Sequence, residues 1–225
     1  MEVIHLKDIH KAYRDTGFVP VFEGLNLSVY EGEIIGITGP SGSGKTTLMN
    51  IVGLIDKPDS GFVYLLGEET SRWDEKKSAS FRNSSIGFIF QYHYLIPELS
   101  ALENVCIPLL IEKRQISESE REKCLSILEY VGLKDRVDNF PSELSGGERQ
   151  RVAVARAIVN DPAIILADEP TGSLDKDNKL RIVELLRSIR DRYGTTILIA
   201  THDFSLLEFM DRVFRIENRR LVEVE

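Results

Sequence analysis

The segment Gly39-Pro40-Ser41-Gly42-Ser43-Gly44-Lys45-Thr46 constrains what this chain can fold into more than any other. It fits the spacing G-x-x-x-x-G-K-[ST], in which glycines let backbone amides converge on phosphate oxygens without side-chain interference. Such a loop needs a strand feeding it and a helix leaving it. Both are legible here. Residues 33–38 form a short apolar run ending directly in the loop, and Thr46-Thr47-Leu48-Met49-Asn50-Ile51-Val52 reads as a helix. The amino-terminal amides and positive dipole end of that helix face the same anion. Lys45 can bridge β- and γ-phosphates, and the Thr46 hydroxyl can ligate Mg²⁺. An α/β fold with a nucleotide at a strand end is the expectation.

A second apolar run, Ile164-Ile165-Leu166-Ala167, ends in Asp168-Glu169-Pro170. Carboxylates at the end of such a strand emerge at the carboxyl edge of a parallel sheet, beside the phosphate loop. There Asp168 can hold Mg²⁺ through water, and Glu169 can polarise an attacking water. Between the two runs lies Leu144-Ser145-Gly146-Gly147-Glu148-Arg149-Gln150, followed by an Ala- and Val-rich helix. Read locally, Ser145 is a helix cap or a second anion-binding helix start.

Around these motifs the period of the apolar residues changes. Two stretches in the first forty residues alternate as strands do, with Gly17 and Gly24 read as turns. Residues 59–75 read as a turn and hairpin, 76–84 as a short polar helix and 86–90 as a buried strand. Ser117 and Glu120 form a capping box before the stripe Cys124, Ile127, Leu128, Val131, which Gly132 ends. The α/β pattern resumes with a strand at 163–168 and a helix from Lys176 to Tyr193, placing Ile182, Leu185, Leu186 and Ile189 inward. A β-branched strand at 195–200 follows, and a hairpin through Asn218 closes the pattern.

The net charge of −8 argues against a nucleic-acid-binding face, which selects for excess Lys and Arg. The basic pairs Lys76-Lys77, Lys113-Arg114 and Arg219-Arg220 read as solvated faces. No stretch reaches the roughly 18 to 20 apolar residues of a spanning helix, and the first residues lack the apolar core of a secretory leader. Cys106 and Cys124 have no Cys or His at ligand spacing, so neither a disulfide nor a metal site is expected. A cytoplasmic protein that serves a membrane only through a partner is the reading.

Taken together, phosphate loop, Ser145–Glu148 and Asp168-Glu169 resemble the ATP-binding-cassette ATPases, and the resemblance covers essentially the whole chain. It implies a P-loop NTPase (RecA-like) core with an antiparallel β subdomain (1–91 and 161–225) and a helical subdomain (92–160) carrying Ser145–Glu148, all one ATPase domain. It implies ATP bound by Tyr13, stacked on adenine, and by Gly39, Pro40, Ser41, Gly42, Ser43, Gly44, Lys45, Thr46 and Thr47. Glu169, His202 and Gln91 would be catalytic; Thr46, Gln91 and Asp168 would hold Mg²⁺. Ser145, Gly146, Gly147 and Glu148 would close over ATP held by a second copy, with Asp175 on the loop between subunits. The other histidines, His5, His10 and His93, read as surface or packing residues.

The segment from Phe90 to Val105 looks most like ATPase subunits of lipoprotein-releasing transporters, and closely like macrolide and peptide exporters of that group. Gln91 to Val105 is then the expected docking surface for an integral membrane subunit, anchored by Tyr92, Tyr94, Leu95 and Ile96. The sugar-import branch, with its extra carboxyl-terminal domain, is disfavoured by the end of the chain soon after the last hairpin. A cell-division relative, regulatory and without cargo, is the alternative of a different class.

Overall fold

The computed structural model describes residues 1–14, 17–111, 113 and 115–224. Two long strands, β1 (Glu2–Tyr13) and β2 (Val19–Tyr30), pair antiparallel and open the chain. Gly24, read above as a turn, lies inside β2 instead. Its φ of +71 accompanies a register irregularity in the β1–β2 ladder, so this glycine serves a bulge within a continuing strand. The first sheet is completed by β4 (Ser60–Leu65) and β5 (Glu68–Glu69), in the order β2-β1-β4-β5.

The second sheet has six strands. In chain order they are β3 (Ile34–Thr38), β6 (Ile86–Phe90), β7 (Ile164–Asp168), β8 (Thr196–Ala200), β9 (Arg212–Glu217) and β10 (Arg220–Val224). Their spatial order is β10-β9-β3-β8-β7-β6, parallel throughout except for the β9–β10 hairpin. Strands β3 and β8 are buried at every position, as expected for parallel strands covered on both faces. Alternate side chains then separate by face. Ile165, Ala167, Ile197 and Ile199 join one apolar cluster with the helices, while Ile164, Leu166, Leu198 and Ala200 join another beneath the first sheet.

Among the described residues six α-helices complete the fold: α1 (Lys45–Val52), α2 (Glu75–Ser85), α3 (Ala101–Leu110), α4 (Glu118–Tyr130), α5 (Gly146–Ile158) and α6 (Lys176–Tyr193). Helices α3, α4 and α5 lie between β6 and β7 in the chain and share the first of those clusters with α6. The Ser117–Glu120 capping box forms as the spacing predicts, and Cys124, Ile127 and Leu128 are buried. On α6, Ile182, Leu186 and Ile189 are buried, whereas Leu185 is only partly so. Cys106 and Cys124 are both buried and free.

Among the basic pairs, Lys77 binds Glu68 at 2.9 Å and Arg219 binds Glu23 at 2.5 Å, while Arg114 lies outside the described residues. Among the described residues no helix is long and apolar enough to cross a membrane.

Candidate functional site

Register decides what meets at the carboxyl edge of the six-stranded sheet. Phe90 pairs with Asp168, Asp168 with Ala200, and Ala200 with Ile37, so β6, β7, β8 and β3 end in line. The residues just beyond those ends therefore converge: Gln91, Glu169, Thr201-His202 and the phosphate loop. Gln91, Glu169, His202 and the loop residues Ser41, Gly42 and Gly44 line a cleft of about 530 Å³ together with Tyr13, Lys45, Thr46, Thr47 and Asp168. This is where an open α/β sheet places a ligand.

Among the α-helices, α1 alone begins without a side-chain cap; Asp74, Ser100, Ser117, Ser145 and Asp175 cap the other five. Its Ncap, Gly44, has φ +106, and a Cβ there would lie 2.6 Å from Val21 and 2.9 Å from Phe22. A larger residue would thus be strained and crowded at once. No acidic residue stands in the first turn of α1, and its first amides, uncapped by any side chain, can bind an anion. Ser43 Oγ is buried without a hydrogen-bond partner, an arrangement a phosphate oxygen would satisfy. Lys45 Nζ donates to the Gly39 and Pro40 carbonyls at 2.8 and 3.2 Å.

Thr46 Oγ1 donates to Asp168 Oδ2 at 2.9 Å, which sets two hard oxygens side by side. Burial pushes the Asp168 carboxyl above its ordinary range, the Thr46 bond opposes that, and Glu169 adds a neighbouring negative charge. Two carboxylates and a hydroxyl in one desolvated corner suit a hard cation with waters and phosphate completing its shell. Among the described residues no group of three or more His, Cys, Asp or Glu is placed to hold a metal ion by itself.

Glu169 stands at φ +49, a backbone region non-glycine residues rarely occupy. The flanking structure fixes it there: its amide donates to the Ala200 carbonyl at 2.9 Å and its carbonyl accepts from Gly172 at 3.1 Å. A carboxylate can only accept, so His202 Nδ1–H donates to Glu169 Oε1, at 2.8 Å. The His202 side chain is 68% exposed and that of Glu169 only 15%. Gln91 packs on Gly172, where an added Cβ would lie 2.9 Å from Gln91 Nε2. Tyr13 lies at the lip of the cleft, its hydroxyl donating to Asp56 at 3.1 Å, while Lys11 binds the same carboxylate at 2.7 Å. Val19 and Val21, which the sequence pattern did not single out, also line this cleft from β2, and Val21 packs against Gly44 at the start of α1.

Ser145, Gly146, Gly147 and Glu148 are not in this cleft. Ser145 caps α5 with a reciprocal box: its amide donates to Glu148 Oε2 at 2.8 Å and its Oγ accepts from the Glu148 amide at 3.3 Å. Donation from the Ser145 amide and hydroxyl, with Arg136 beside them, holds the Glu148 carboxyl below its usual range. Gly147 packs against the start of α6, where a Cβ would lie 2.6 Å from Asn178 Oδ1. Asp175 caps α6 by accepting from the Asn178 amide at 2.9 Å.

Beyond Gln91, Tyr92, Tyr94 and Ile96 are exposed, whereas Leu95 turns partly into the helical cluster and His93 is buried. Beside them an apolar groove of about 480 Å³ runs between β6 and α3, lined by Ile55, Phe88, Phe90, Ile107, Pro108 and Ile111.

Comparison with known proteins agrees with this geometry. A family model described as "ABC transporter" matches residues 22–172. The lipoprotein-releasing system ATP-binding protein LolD of Bacteroides fragilis is 46% identical, over 98% of this chain and 100% of that protein. The protein of the same name from Pseudomonas syringae pv. tomato is 47% identical, over 98% of this chain and 97% of its own length. Among solved structures, the dimeric post-hydrolysis state of the ATP-binding cassette MJ0796, bound to ADP and Pi, aligns with a TM-score of 0.90 at 38% identity, covering 99% of this chain and 98% of that one.

Proposed function

Since this chain belongs to the ABC transporter family as an ATP-binding and ATP-hydrolysing subunit, we propose that two copies clasp two ATP molecules and that their closure drives release of lipoproteins from a membrane through an integral partner. The observation that carries the clasp is the separation of two anion-binding helix starts. The uncapped start of α1 lies in the cleft with Glu169 and His202, while the Ser145 start of α5 lies outside it. One chain thus offers one half of each of two sites, and a two-fold pair of chains completes both.

In this reading the phosphate-loop amides, Lys45 and Thr47 hold the triphosphate and Tyr13 stacks on adenine. Thr46 and Asp168, with Gln91, hold Mg²⁺, which when bound offsets phosphate charge. Glu169 accepts a proton from the attacking water. His202 keeps the Glu169 carboxylate oriented through Nδ1–H and, with both ring nitrogens protonated, donates Nε2–H to the γ-phosphate. Ser145, Gly146 and Gly147 donate to the γ-phosphate of the partner's ATP, with Asp175 beside the junction. Binding closes the pair, and hydrolysis removes the bridging charge and reopens it. The helical subdomain at 92–160 transmits the motion.

Lipoproteins as cargo are supported by the Bacteroides and Pseudomonas relatives, matched over nearly their full lengths. The apolar groove beside Tyr92 and Tyr94 supports docking of a short helix from the membrane subunit, which would hold this chain at the inner face of the cell membrane.

The deciding experiment is reconstitution with the membrane subunit in liposomes containing an acylated protein. ATP-dependent release into the soluble fraction is expected, absent with Glu169→Gln. Coupled ATPase activity without any release would favour the regulatory alternative.

A further inference from the structure

The chain leaves β6 through Gln91 and then passes two consecutive non-glycine residues at positive φ, His93 at +63 and Tyr94 at +46. Strained backbone persists only where its surroundings impose it. Here the surroundings are three side chains, two of them on α5. His93 Nδ1 donates to Gln150 Oε1, and the Gln150 amide donates to the Phe90 carbonyl at 3.5 Å. Arg156 forks across the next two carbonyls, to His93 at 2.7 Å and Tyr94 at 2.6 Å. His93 is 8% exposed and Gln150 fully buried. Burial, with Arg149 and Arg156 nearby, holds the His93 ring below its ordinary proton affinity, so it is neutral around pH 7.

A buried, fully paired polar cluster costs desolvation and is sensitive to geometry in a way an apolar contact is not. This one joins two points that the proposed clasp uses separately: Gln91, in the chain's own ATP cleft, and α5, whose first turn presents Ser145. We infer that His93, Gln150 and Arg156 form a latch that makes Gln91 and Ser145 move together, so that occupancy of a chain's own ATP site sets its readiness to grip the ATP of its partner. His93 and Gln150 act as positioning residues; neither lines the nucleotide cleft. The latch rests on the dimer reading above, and it makes the two ATP sites of the pair cooperative.

The test uses the purified full chain. His93→Ala and Gln150→Leu should stay folded at assay temperature, melting roughly 2–10 °C below the parent because each orphans a buried polar group. They should bind a fluorescent ATP analogue as monomers within about twofold of the parent. Their kcat should fall about tenfold, and the Hill coefficient for ATP should drop toward one. In the Glu169→Gln background, the ATP concentration needed for dimerisation should rise by about the same factor. Combining the two substitutions should cost no more than either alone, because both remove one interaction. His93→Asn should restore most of the loss, since Asn tolerates positive φ and its amide still donates to Gln150. Should His93→Ala prove unstable, Arg156→Lys keeps the charge but loses the fork across both carbonyls, and should show the same split.

Folded variants with parental kcat and Hill coefficient would overturn the latch, as would an Asn variant no better than Ala. If Glu169→Gln dimerises with ATP while these variants behave as the parent, only the latch is wrong. If Glu169→Gln itself never dimerises, the clasp fails and the latch with it.

Discussion

Glu169 is held at φ +49 by backbone bonds from both sides and receives its hydrogen bond from His202. An isosteric amide keeps that geometry but cannot take a proton. Glu169→Gln should therefore lower ATP turnover by about 100-fold or more, leave monomer nucleotide affinity unchanged, and accumulate an ATP-bound dimer in sedimentation runs. Turnover near the parental rate would remove Glu169 from its proposed role. At this scale much was readable in advance: the phosphate loop, Asp168-Glu169 and His202 all reach the cleft. Of His93 a packing role was readable, but not its partner. Read as a surface or packing residue, it is buried against Gln150, 57 positions along the chain, and no local pattern encodes a contact at that separation.

Helix starts separate stability from function among the elements. α4 and α5 begin with the same capping box, Ser117–Glu120 and Ser145–Glu148. Replacing either serine by alanine should cost about 1 kcal/mol, seen as similar shifts in urea midpoint. Only Ser145→Ala should also lower ATPase activity and ATP-driven dimerisation. Equal activities in the two variants would make Ser145 a cap and nothing more. A related anchor holds the loop after β8, where Lys179 of α6 donates to Asp203 at 2.6 Å. That bond, helped by Ser205, lowers the Asp203 carboxyl from 3.8 to about 2. A depressed carboxylate contributes stability that is whole above its unfolded value and lost as pH falls through its folded one. Asp203→Asn should thus lower the melting temperature at neutral pH by roughly 2–4 °C. The gap should close as pH falls from about 4 toward 2, and a gap independent of pH would contradict the assignment.

For the whole molecule, Tyr92 and Ile96 are exposed close in the chain to Tyr94, whose ring meets Phe90 of the groove at 5.2 Å between centroids. Exposed aromatic anchors contribute strongly to interfaces. Tyr92→Ala combined with Ile96→Ala should weaken co-purification with the membrane subunit by at least about tenfold, while the isolated chain keeps its ATPase rate. Undiminished co-purification would move the docking surface elsewhere. Leu95, expected in that surface, turns partly into the helical cluster instead, because the backbone reversal at His93 and Tyr94 sets which of its neighbours face outward.

The sequence by itself determined the chemistry of the nucleotide cleft and most of the element order, because a phosphate loop, a carboxylate-ended strand and helix caps are short-range patterns enforced by local sterics and hydrogen bonding. Gly24 shows the limit even at short range: the same residue serves a turn or a bulge, and only pairing with β1 chose the bulge. Tertiary structure alone decided which strand ends lie side by side, that Ser145 stands apart from the chain's own cleft, and that α5 is bonded to the turn after Gln91. Those are outcomes of sheet order and register, which depend on how distant apolar faces bury one another and leave no mark at any single position.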